Sequence, residues 1–550
     1  MQSQNATAYQ GLAFLKNFKL YKLIDDIEVD GFQKTQEFKT NKIKLITSNG
    51  TIEAVFLKPD QLSLKSIDYK GKLNISLDSR EINDYDDQGR IYTPQQKSNT
   101  EVRINYSKYE TNELKNKKYE LNYSIKSSKT ITYKDNWNET NYSYDKERGD
   151  NGHHYINKAI QTQLQDKDTL TITFNDYTQS KETKKKLKKV LSSKTELQTL
   201  NSLYLPKENA ILAGLPWFYQ IWARDELISL APLILQKEKN KLKQIINRQL
   251  ERIGTDGLVK NRYPESELGS IDSLGLLALR INQSIEIIKP SKRELQNIYL
   301  IIKKAMTTLE ANRLSNSLIK NAPLETWMDT GSGNSQRSGY RIEIQTLHLT
   351  IYDLLNKIET KLALQKTKSK DIQAAFESNF IQQDKLIDGL EEDLTIDPIA
   401  RPNIFLAHYI NGQIINPKIW ENTFDEVIEK CWLEWGGFSS IDKSNQKFES
   451  NHTGMNNRSY HHGDSWFFIN NMAAISMAKV NYQKYEYYIK KILEASLKDM
   501  NQNGLKGHCS EISSAAQLSS KGSWCQAWSS STLHELIILL ENLGIKELNN

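Results

Sequence analysis

Three segments of the chain concentrate aromatic, carboxylate and guanidinium side chains. The densest is GLPWFYQIWARDELISL, residues 214–230, where Trp217 and Trp222 stand near an adjacent Arg224–Asp225 pair. Aromatic faces stack on sugar C–H surfaces, and an Arg/Asp pair can hydrogen-bond neighbouring hydroxyls. The second, NAPLETWMDTGSGNSQRSGYRIEIQTL (321–347), sets Glu325, Trp327 and Asp329 just before a Gly/Ser-rich loop. A carboxyl group beside a Trp is suited to general-acid work, because burial favours its protonated form. The third, HCSEISSAAQLSSKGSWCQAWSSSTLHEL (508–536), places Glu511 ahead of a loop that delivers Trp524, Gln526 and Trp528 to the start of a helix. Two acids from separate loops fit glycoside hydrolysis by a carboxylate pair.

Two shorter segments add polar groups: RPNIF (401–405), with Arg401, and YHHGDSWFFINN (460–471), with His461, His462, Asp464 and Trp466. Adjacent histidines raise the question of a metal, but no HExxH or comparable ligand spacing accompanies them, so we expect no metal site and no cofactor. The patterns GxGxxG, GxxxxGK[ST] and GxSxG are absent. Dinucleotide, P-loop and α/β-hydrolase readings therefore have no footing.

The elements that must position these residues fall into two regimes. From Lys42 to about Tyr177, short apolar runs alternate with polar residues, as in Leu73-Ile75-Leu77 and Tyr119-Leu121-Tyr123-Ile125. Ile43-Leu45 and Ile52-Val55-Leu57 flank Asn49-Gly50, a two-residue hairpin signal. Many short strands of this kind predict an antiparallel β-sandwich, read as an accessory domain over 1–178. The charge run KETKKKLKKVLSSKTELQTL (181–200) carries Leu187 and Val190 at helical spacing, and predicts a solvated linker helix over 179–204. Beyond it the period becomes helical. Segments are expected at 222–236, 239–252, 272–288, 292–313, 341–357, 360–379, 403–410, 418–433, 465–479, 482–500 and 526–542. A helical domain over 205–550 with functional loops at alternate connections suggests an (α/α)6 barrel, though periodicity fits other helical arrays equally.

Composition sets the outer bounds. The 550 residues carry a net charge of only +6, which gives no reason to expect nucleic acid as a partner. No run approaches the length of a transmembrane helix, so no membrane association is expected. Three cysteines, Cys431, Cys509 and Cys525, form no CxxC pair. That sparse set, with no signal-like N-terminal segment, predicts a cytoplasmic protein. Asn-x-Ser/Thr triplets, such as that at Asn138, are read as compositional.

Taken in order, GLPWFYQIWARDELISL, TWMDTG with YRIEIQTL, RPNIF, YHHGDSW and CQAWSSSTL resemble the amylo-α-1,6-glucosidase domain of glycogen debranching enzymes over roughly residues 205–545. The N-terminal third resembles that family only in being β-rich. The resemblance implies an (α/α)6 barrel of the glucoamylase kind and an inverting mechanism. It implies Asp329 as general acid and Glu511 as general base, with Trp222, Arg224 and Asp225 gripping the terminal glucose. Trp217, Asp272, Trp327, Arg401, His461, Trp466, Gln526 and Trp528 are expected to complete the substrate site. Glycogen or a branched α-glucan is the implied partner, and the oligomeric state is left open. Two departures stand out: His462 occupies a position where the pattern has Gln, and the loop after Asp329 lacks a proline-containing spacer. An α-glucosidase or glucoamylase preferring α-1,4 linkages is the alternative reading, followed by a non-catalytic glucan-binding protein. The acid pair speaks against the last.

Overall fold

A computed structural model describes residues 7–16, 19–39, 42–58, 60–110, 116–175, 194–264, 269–330 and 337–545. The chain divides into two compact units, 1–188 and 189–550. The expected linker helix falls largely outside the described residues. Within its span are a 3-10 turn, Thr195–Leu197, and a short helix from Gln198.

Among its described residues the first unit contains fourteen strands and one short helix, α1 (Ser143–Glu147). In chain order the strands are β1 Leu12–Lys16, β2 Lys19–Val29, β3 Phe32–Lys39, β4 Lys42–Thr47, β5 Gly50–Lys58, β6 Gln61–Ile67, β7 Gly71–Glu81, β8 Arg90–Ser98, β9 Glu101–Tyr109, β10 Lys117–Ser127, β11 Ile131–Tyr133, β12 Trp137–Asn141, β13 His153–Leu164 and β14 Thr169–Phe174. One antiparallel sheet runs β1-β2-β7-β13-β11, with β12 also on β13; the other runs β3-β4-β5-β6-β14-β10-β9-β8. Alternate residues such as Leu73, Ile75 and Leu77 of one sheet and Leu121, Tyr123 and Ile125 of the other enter a single apolar core. Phe14 stacks on Phe174 across it at 5.1 Å. Period-two patterning thus yields the expected sandwich.

The hairpin signal sits one residue from its expected place. Thr47 pairs with Gly50, so the two loop residues are Ser48 and Asn49. Gly50 instead opens β5 at φ +120, where a Cβ would lie 2.3 Å from the Asp68 carbonyl oxygen. The glycine answers a close backbone approach as well as the turn.

The second unit contains α2 Gln198–Leu203, α3 Ala223–Ile228, α4 Ala231–Leu235, α5 Lys239–Glu251, α6 Ile271–Ile288, α7 Lys292–Arg313, α8 Ile342–Leu362, α9 Lys370–Phe380, α10 Asn403–Asn411, α11 Pro417–Cys431, α12 Phe467–Lys498 and α13 Ala527–Asn542. Helix α3 packs on α6, α6 on α8, α8 on α10, α10 on α12, α12 on α13, and α13 returns to α3 and α4. That closed inner ring carries an outer layer of α2, α5, α7, α9, α11 and the half of α12 beyond a break at Asn481. It is an (α/α)6 barrel. Burial follows position in the two layers. Outer helix α5 buries one stripe, Leu242, Ile245, Ile246, Gln249 and Leu250, whereas inner helix α8 is buried at every residue from Ile342 to Tyr352.

The helix expected over 222–236 is two helices, for a reason visible in the sequence. Pro232 has no N–H to bond the carbonyl of Ile228 and its ring crowds that oxygen. Arg280 of α6 takes up the freed acceptors, donating from Nε to Leu227 O at 2.7 Å and from Nη2 to Ile228 O at 2.8 Å.

Candidate active site

The motif loops lie at the N-terminal ends of inner helices, and two-residue ladders stitch them together. Ile221–Trp222, entering α3, pairs with Arg262–Tyr263; Ser465–Trp466, entering α12, pairs with Ile512–Ser513; Cys525–Gln526, entering α13, pairs with Gly214–Leu215. Trp222, Arg224, Asp225, Trp466, Gln526 and Trp528 therefore sit at or beside the first turn of a helix, whereas Trp327 and Asp329 are carried by the loop before α8.

Arg224 and Asp225 occupy the first turn of α3, and both are buried. The Arg224 guanidinium donates from Nε to Asp272, in the first turn of α6, and from Nη1 to Asp329 at 3.0 Å. Gln526 donates from Nε2 to Asp225 at 3.0 Å. Burial raises the Asp225 pKa to about 8; Arg224 opposes that shift, while Asp329 and Glu511 add to it. The Trp222 ring lies 5.5 Å from the Arg262 guanidinium and meets Phe218 edge-on. Trp217 meets Trp524 edge-on at 5.8 Å.

Asp329 follows Trp327, which is buried and turns its edges to His461, Trp466 and Phe468 at 5.3–5.4 Å. Burial raises the Asp329 pKa above the ordinary carboxylate value, and Arg224 restrains the rise. Its side chain keeps 27% of its surface open. His461 stacks parallel to Trp466 at 5.2 Å, and burial holds its pKa well below the usual imidazole value. It is neutral at physiological pH. Trp528 stacks on Phe468 at 4.1 Å.

Glu511 immediately precedes the strand Ile512–Ser513 that pairs with the entry to α12. Its Oε2 accepts from the Ser523 backbone N–H at 2.8 Å. Its Oε1 accepts from the Tyr460 hydroxyl. Gly522, at φ +64, allows this approach, since a Cβ there would stand 2.3 Å from Glu511 Oε2.

Several buried polar atoms around these carboxylates have no hydrogen-bond partner among the described residues: Arg224 Nη2, both ring nitrogens of His461, Gln526 Oε1, and the indole nitrogens of Trp222 and Trp528. Unsatisfied donors and acceptors of both kinds, walled by aromatic rings, suit a polyhydroxylated ligand.

The structure assigns other work to several expected residues. Asp272 reaches the site through Arg224. Arg401 is engaged in a buried ion network, donating to Asp388 and Asp397 at 2.8 Å each, alongside Arg337 and Arg341. Asp464 accepts from His452 and Ser459, and Glu325 from Arg313 and the Ala322 N–H. The His462 ring contacts the Arg458 carbonyl oxygen. No group of three or more His, Cys, Asp or Glu among the described residues could hold a metal ion. The proline-less loop continues into 331–336, outside the described residues. Sequence reasoning passed over Tyr460 because its partner, Glu511, lies on a distant segment; its place beside His461 was the available signal.

A family model described as Amylo-alpha-1,6-glucosidase matches residues 194–535, more than half of the chain. The chain belongs to this family. Its coarse activity is accordingly that of a glycoside hydrolase. A solved bacterial glucoamylase complexed with acarbose is similar at 12% identity and TM-score 0.60, covering 96% of this chain and 89% of that one. That likeness extends the shared fold over the β-rich unit and the barrel. A GH63 mannosylglycerate hydrolase from Thermus thermophilus in complex with glucose aligns at 11% identity and TM-score 0.47, covering 62% of this chain and 98% of that one. No curated protein matches the chain. Among the described residues no helix is long and apolar enough to cross a membrane.

Proposed function

We propose that the chain is an exo-acting, inverting glucosidase that removes α-1,6-linked glucose from glycogen or limit dextrin. The observation that carries this reading is the meeting of Asp329, Glu511 and Asp225 in one aromatic-walled site where several buried polar atoms, among them Arg224 Nη2 and both His461 ring nitrogens, lack partners among the described residues. Asp329, protonated through burial, gives its proton to the glycosidic oxygen as the C1–O bond breaks. Glu511, ionised, takes a proton from water whose oxygen bonds C1 from the opposite face, so the released glucose is the β-anomer. Trp222, Arg224 and Asp225 bind the terminal glucose, and His461, Gln526 and Trp528 meet its remaining hydroxyls. Room for the water requires the two carboxyl groups to stand roughly 6.5–9.5 Å apart.

The test uses phosphorylase limit dextrin, with maltotriose as the α-1,4 comparison. Asp329→Asn and Glu511→Gln should each lower turnover by roughly 10²–10⁴-fold with the circular dichroism spectrum unchanged. Proton NMR should detect β-glucose first. Initial α-glucose, or near wild-type turnover in either variant, overturns the mechanism; faster cleavage of maltotriose overturns the linkage.

A further inference from the structure

We infer that Tyr460 is a positioning residue that keeps Glu511 the ionised member of the three crowded carboxylates, by donating its hydroxyl hydrogen to Glu511 Oε1. The inference rests on the reading of Glu511 as the general base. Asp329 and Glu511 stand close enough to Asp225 to raise its proton affinity, and Asp225 holds its proton to about pH 8. A site crowded in this way must decide which carboxyl stays bare. Hydrogen bonds donated to a carboxylate favour its charged form. Glu511 receives one at each oxygen, from the Ser523 N–H at Oε2 and from Tyr460 at Oε1. The backbone donor is fixed by the fold, whereas the phenol is a side chain that can be varied.

Tyr460 suits this task. Its ring is held edge-on against Trp466 at 4.6 Å, and its carbonyl accepts from Trp466 Nε1 at 2.8 Å, so the hydroxyl cannot swing freely. Burial, together with Glu511, Asp329 and Asp225, raises its pKa well above that of free tyrosine, so it remains a donor throughout the working range. Nearby among the described residues are Arg224, whose Nε and Nη1 are engaged by Asp272 and Asp329, and His461, whose pKa burial holds well below the usual imidazole value. Next to Glu511, Asp499 accepts from the Ser510 N–H at 2.8 Å and supports the backbone.

The experiment is the pH profile of kcat/KM on limit dextrin. Removing the donor makes Glu511 easier to protonate, so Tyr460→Phe should move the acid limb up by about one pH unit. The loss should be roughly tenfold below the limb and small on the plateau, with KM changed less than about twofold. Replacing Tyr460 by 3-fluorotyrosine, a stronger donor of nearly the same shape, should move the limb down, and this arm decides the matter if the phenylalanine variant does not fold. An equal loss at every pH, or a limb that neither replacement moves, overturns the inference. Glu511→Gln serves as the control: wild-type turnover there would remove the base assignment itself, a result distinct from an unmoved limb.

Discussion

One guanidinium joins two carboxylates at the mouth of the barrel: Arg224 donates from Nε to Asp272 and from Nη1 to Asp329 at 3.0 Å. The first turns of α3 and α6 are thereby locked to the loop that carries Asp329. The planar fork also restrains the proton affinity of Asp329 while leaving it above the ordinary carboxylate value.

Lysine cannot reproduce that fork, because it offers a point charge where two directed bonds are made. Arg224→Lys should lower turnover by roughly 10²-fold or more, since small misplacements of a reacting group carry penalties of that order. Steady-state kinetics beside an unchanged thermal unfolding curve would bear this out. Turnover within a few-fold of wild type would show that charge alone suffices.

Asp225 predicts a particular pH dependence of stability. Its carboxyl keeps its proton up to about pH 8 in the folded chain, whereas in the unfolded chain it loses it near pH ~4. Between these values the folded state binds more protons, so its contribution is complete below about pH 4 and is lost as pH rises through 8. Asp225→Asn should flatten the fall in urea midpoint between pH 5 and 8. Identical slopes in the two proteins would contradict the assignment.

Gly522 is a third point of leverage. A methyl group there would meet Glu511 Oε2 at 2.3 Å in a backbone conformation that L-residues rarely adopt. Gly522→Ala should reduce turnover far more than it changes substrate binding, because the displaced group is the proposed base. Isothermal titration with an unreactive substrate analogue, paired with kinetics, separates the two effects.

Catalysis by two carboxylates needs no Lewis acid, so activity should survive prolonged treatment with EDTA. Complete loss, restored by added metal, would reassign His461 and His462.

Helix bounds were legible where apolar spacing was regular. The segment expected at 292–313 has those limits, and Ser291 with Glu294 forms a capping box at its start. The break before Pro232 was also written in the sequence, but the aromatic and charged residues around it drew the reading toward one longer helix. Arg401 illustrates what spacing cannot supply. Its type and motif suit a substrate contact, yet its guanidinium is held by Asp397, four residues before it, and by Asp388, which only the folded chain brings to the same nitrogen. Tyr460 shows the reverse, a residue within a recognised motif whose role emerges only when Glu511 is folded against it.

The ladders at the barrel mouth have a consequence for engineering. Leu215 pairs with Cys525, Trp222 with Arg262 and Trp466 with Ile512, so each functional loop shares its backbone bonds with another. A loop transplanted alone from a relative brings half of a pair whose other half it has never met. Altered specificity is therefore to be sought by exchanging paired loops together, and single-loop chimeras will lose activity before they change preference.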